Sequence, residues 1–121
     1  MIVPIDRNRA GDTVTLEIVP GYPVTVCDPG VTAWVRGLVV GLAGEASVRD
    51  LVQPIMGAED FSYVTERVPG MMAFLGACPS SEDPGTAPQT HSNRVVFDEE
   101  SMALGIALHA AAALDFLGRG E

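Results

Sequence analysis

Residues 28–42 read Asp28-Pro29-Gly30-Val31-Thr32-Ala33-Trp34-Val35-Arg36-Gly37-Leu38-Val39-Val40-Gly41-Leu42, and the fold reading starts from them. Asp28 supplies the carboxylate of a helix N-cap. Pro29 follows at the first helical position, where a fixed φ and a missing N–H cost nothing. Val31, Trp34, Val35, Leu38, Val39 and Leu42 then fall at i, i+3, i+4, i+7, i+8 and i+11. They form one apolar stripe, so this helix must pack against something. Trp34 belongs to that stripe as a core residue and only weakly as a binding residue. Gly37 and Gly41 weaken the helix, and Gly44 ends it.

Working outward, residues 13–19 alternate, with Val14, Leu16 and Ile18 on one face and Thr15 and Glu17 on the other. That pattern predicts a half-buried strand in an antiparallel sheet. Gly21 and Pro23 punctuate the chain before an extended stretch over 22–26. Residues 48–52 are a short strand candidate, and 59–68 read as a second helix stopped by Pro69-Gly70. Residues 71–75 are a continuous apolar run between glycines, which predicts a strand covered on both faces in a sheet flanked by helices. Residues 79–90 form a polar loop. Asp98 then caps a last helix running to Leu117, with Glu99 and Glu100 complementing its dipole and Gly118 as the stop. The order is an α/β alternation with no internal repeat.

Composition narrows the function classes. A chain of 121 residues is about one domain. Its 47% apolar content is high for so short a chain, which implies that some apolar surface belongs against another domain or subunit. Sixteen acidic residues face seven arginines and no lysine, for a net charge of −9. Such a chain repels a phosphate backbone, so nucleic-acid binding is excluded. Cys27 and Cys78 form no Cys-x-x-Cys pair and read as free, buried thiols of a cytoplasmic protein. The first residues carry no secretory pattern. The apolar run 102–117 is shorter than a spanning helix needs and contains His109 and Asp115, so it is not read as a membrane anchor.

Two places could carry chemistry. His91 sits at the end of the 79–90 loop, where a ligand can point into a cleft, but one imidazole cannot hold a catalytic metal. Taken alone it reads as an exposed loop histidine. His109 reads as a helix-surface or packed residue. Glu59-Asp60 has two open readings. Two carboxylates in a first helical turn are favoured by the dipole; alternatively, Gly57 lets the backbone approach a ligand while Glu59 or Asp60 orients a metal-binding or substrate-binding group. No Ser-x-x-Lys, nucleophile elbow, phosphate loop or dinucleotide fingerprint is present.

Several of these stretches form an ordered series: Met56-Gly57-Ala58-Glu59-Asp60-Phe61-Ser62-Tyr63, Val68-Pro69-Gly70, Phe74-Leu75-Gly76, His91-Ser92 and Phe97-Asp98-Glu99-Glu100. The series resembles the carboxy-terminal part of the metal-dependent aminoacylase/carboxypeptidase family, which includes hippurate hydrolase, N-acyl-amino-acid amidohydrolases and plant auxin-conjugate hydrolases. Gly21-Tyr22-Pro23-Val24-Thr25-Val26-Cys27-Asp28 is similar to the family stretch where the chain leaves a small lid domain for the catalytic domain. The resemblance covers roughly residues 12–117.

The resemblance implies an α/β fold. Residues 1–21 would be the end of a lid domain whose closing strand often mediates dimer contacts, and 22–121 the carboxy-terminal part of the catalytic domain. It makes His91 the final ligand of a two-metal site. It places Gly57, Glu59 and Asp60 beside that site, as candidates for lining the substrate pocket or supporting the metal ligands. The family activates a metal-bound water with a glutamate base to attack an amide carbonyl. The implied cofactor of the intact enzyme is a divalent metal, zinc or else manganese or cobalt. Family enzymes carry earlier a Cys-Gly-His-Asp-type metal motif, a Glu-Glu pair holding the base and a further ligand histidine; none of these earlier motifs is in this chain. No catalytic residue is therefore assigned.

The resulting expectation is a segment of an enzyme that hydrolyses N-acyl amino acids or similar small amides. Alone it would be inactive and would bind no metal tightly. Its partner would be the missing amino-terminal half or a homo-oligomer mate. The other reading is a non-catalytic interaction subunit or degenerate remnant of such an enzyme.

Overall fold

A computed structural model describes residues 2–5 and 14–119. The elements, in order, are strand β1 (Ile2–Ile5), strand β2 (Val14–Glu17), helix α1 (Pro29–Ala43), a 3₁₀ turn (Glu45–Ser47), helix α2 (Ser62–Thr65) and helix α3 (Ser101–Gly118).

Helix α1 forms as its sequence dictates. The Asp28 carboxylate accepts from the Val31 N–H at 2.8 Å, and the Thr32 hydroxyl donates to the Asp28 carbonyl at 2.7 Å. Gly44 ends the helix at φ 84°, its N–H donating to the Val40 carbonyl. Only glycine enters that left-handed region without a Cβ penalty.

The strand expected over 13–19 is present in shorter form as β2, Val14–Glu17; Ile18 and Val19 fall outside it and Thr13 lies outside the described residues. It pairs antiparallel with β1, a strand the sequence reading did not assign, in the register Ile2↔Glu17 to Ile5↔Val14. Pro4 is tolerated because both strands of a two-stranded ribbon are edges.

Other expectations are corrected. The helix expected over 59–68 shrinks to Ser62–Thr65, with turns on either side, and the turn after it ends ahead of Pro69. Helix α3 begins at Ser101 rather than beside Asp98. Successive i→i+3 bonds, from Ser101 N–H to the Asp98 carbonyl, Met102 to Glu99 and Ala103 to Glu100, wind the entry tighter than an α-helix. Asp98 instead holds that turn, its carboxylate accepting from the Glu100 N–H at 3.1 Å.

Residues 48–52 and 71–75 form no strand. The 70–77 segment makes isolated ties only. The Asp28 N–H donates to the Gly70 carbonyl at 2.8 Å, and the Asp98 N–H donates to the Ala77 carbonyl at 2.9 Å. The Met72 N–H reaches the Cys27 sulfur at 3.4 Å. An extended segment becomes a strand only when a neighbour takes its ladder of donors and acceptors. The regular structure among the described residues is thus mostly helical with one short antiparallel strand pair, and the sheet flanked by helices is not among them.

Packing centres on α1 against α3. The Trp34 indole N–H donates to an Asp115 carboxylate oxygen at 2.6 Å, and Arg119 Nε donates to the same oxygen at 2.7 Å. The Arg119 guanidinium lies 4.8 Å from the Trp34 ring centre, and the Phe116 ring centre is 6.2 Å from it. On the far side of α1, Arg36 pairs with Glu45 at 2.9 Å and Asp50 at 2.8 Å, tying down the segment after the 3₁₀ turn. The hydrogen bond to Glu45, then the charge of Asp50, raises the Arg36 pKa above its usual value. Tyr22 and Tyr63 meet edge to face at 5.7 Å.

Among the described residues no apolar side chain is fully buried; Ser62 alone is. The chain exposes 10275 Å², against about 6,200 Å² for a compact monomer of this length. The stripe of α1 is half-buried from Val31 to Val39, while Leu42 is exposed. By length and composition alone α3 is long and apolar enough to cross a membrane, because Ser101 and Gly118 extend the apolar run to 18 residues.

Asp115→Ala is expected to cost about 1–2 kcal/mol of stability by removing a charged acceptor from two donors. Asp115→Asn should cost less. Chemical denaturation followed by the fluorescence of Trp34, the only tryptophan, measures both. Gly44→Ala should cost about 1 kcal/mol in the same assay, since alanine resists the positive φ.

Candidate functional site

The candidate residues lie on two separate stretches. Gly57, Glu59 and Asp60 lead into α2. The Glu59 carbonyl accepts from the Ser62 hydroxyl at 2.7 Å and from its N–H at 3.3 Å, and the Asp60 carbonyl accepts from the Tyr63 N–H at 3.0 Å. The Glu59 carboxylate makes only a long contact with the Phe61 N–H, 3.5 Å, and both acidic residues are exposed. Their backbones thus build the turn, while both residues precede the Phe61 cap, so neither carboxylate falls in the first turn of α2 as the sequence pattern anticipated. Gly57 is uncrowded: a Cβ there would meet Ile55 Cγ2 at 3.9 Å, an ordinary contact.

His91 occupies a turn closed by the Ser92 N–H donating to the Gln89 carbonyl at 3.0 Å. Its φ is 77°, the only positive value on a non-glycine residue among those described. Its side chain is exposed and takes no hydrogen bond among the described residues. His109 lies on the exposed face of α3. Among the described residues no group of three or more His, Cys, Asp or Glu is placed to hold a metal ion. A single imidazole does not fit a metal that needs three or four donors.

Two concavities flank these stretches. One, of about 390 Å³, runs between Val26–Pro29 and Thr65–Gly70. It contains Cys27, which is exposed rather than buried as expected (Cys78 is half-buried), and whose proximity to Met72 no sequence pattern signals because the two are 45 residues apart. The other, of about 170 Å³, is lined by Leu75, Cys78, Gln89, Thr90 and Phe97, immediately before His91. Neither lining includes His91, Glu59 or Asp60. Among the described residues the candidate residues therefore line neither cleft and do not come together in one site.

A left-handed backbone at His91 constrains substitution. His91→Asn should change stability by no more than about 0.5 kcal/mol, because asparagine accepts that conformation, while the β-branched His91→Val should cost about 1–2 kcal/mol. Thermal and denaturant unfolding of the two variants tests this.

Comparison with known proteins places the chain. Residues 4–115 match peptidase family M20/M25/M40. Thermostable carboxypeptidase 2 of Saccharolobus solfataricus is 35% identical over 95 residues, covering 78% of this chain and 23% of that protein. The IAA-amino acid hydrolase ILR1-like 6 of Arabidopsis thaliana is 31% identical over 96 residues, covering 79% of this chain and 20% of the relative. A second Arabidopsis thaliana IAA-amino acid hydrolase, ILR1-like 2, is 33% identical over 113 residues, covering 93% and 25%. The chain thus spans about a quarter of the length of the curated relatives it matches. No solved structure matches it. With all but the first three and last six residues inside the family match, this chain belongs to peptidase family M20/M25/M40.

Proposed function

We propose that the chain is the carboxy-terminal segment of a metal-dependent amidohydrolase that hydrolyses the amide bond of N-acyl amino acids or similar small amides. The observation that carries this reading is the family match over residues 4–115 combined with coverage of only about a quarter of the relatives. The relatives' names, carboxypeptidase and IAA-amino acid hydrolase, support hydrolysis of a small amide or peptide.

In this reading residues 1–21 end a lid domain and 22–121 belong to the α/β catalytic domain. His91 is one ligand to a divalent metal, zinc, manganese or cobalt. Gly57, Glu59 and Asp60 line the substrate pocket or support the ligands. The remaining metal ligands and the glutamate base come from polypeptide outside this chain. Residues 71–75 would then gain the flanking strands that their composition anticipates. The protein is cytoplasmic, in keeping with its unpaired cysteines.

A second reading, a non-catalytic interaction subunit or remnant of such an enzyme, is favoured by the amount of apolar side chain left exposed, from Val19 to Leu117.

The purified chain should release no amino acid from N-acyl amino acids, with or without added zinc, manganese or cobalt. Chelator-sensitive turnover by the chain alone would overturn its proposed dependence on a missing base. Supplying in trans the part of a relative that precedes the matched region tests the first reading against the second. Metal-dependent hydrolysis that requires His91 supports the enzyme segment; complex formation without hydrolysis supports the interaction subunit.

A further inference from the structure

We draw no further inference here: the strongest candidate, the exposed apolar outer face of α3 around Ile106 and Leu117, carries nothing, because nothing among the described residues shows what covers it.

Discussion

One carboxylate oxygen holds the two long helices together. Asp115 Oδ2 accepts from the Trp34 indole and from Arg119, and the guanidinium of Arg119 covers the face of that same indole. The three groups join residues 81 positions apart in sequence. Elsewhere the chain is tied by single hydrogen bonds and exposed ion pairs, which contribute little each. The half-buried α1 stripe packs against α3 where this contact joins the two helices. Where a hydrophobic core is thin, a directional polar contact sets the register that packing would otherwise set.

Local signals were legible and long-range ones were not. Asp28-Pro29 and Gly44 bound α1 as their chemistry requires, because a cap and a left-handed stop involve only neighbouring residues. The strand at 14–17 was readable from alternation, but its partner, Ile2–Ile5, was not. Residues 71–75 have the composition of a central strand and lack the ladder, since the neighbours that would complete it are not supplied by the described residues. The cap of α3 falls at Glu100, two residues beyond Asp98, because tight i→i+3 turns precede the α-helix proper.

The candidate site shows the same division. The family could be recognised from spaced motifs because each motif is local, from Gly57 to Phe61 and from His91 to Ser92. How those residues come together depends on polypeptide that would surround them. Glu59 and Asp60 are exposed, and His91 stands in a left-handed turn and belongs to no group of three or more potential metal donors among the described residues.

The loosely tied segment 70–77 has one more consequence. Between its bonds to Asp28 and Asp98 its one further tie among the described residues is the Met72 N–H on the Cys27 sulfur, so it offers an otherwise unladdered extended edge beside Met71, Phe74 and Leu75. Such an edge is a template onto which another extended chain can zip. The molecule has no lysine or proline within that run to act as a gatekeeper. Its colloidal safety rests on the charge of −9, so neutralising its carboxylates with acid would favour fibrillar association over simple unfolding.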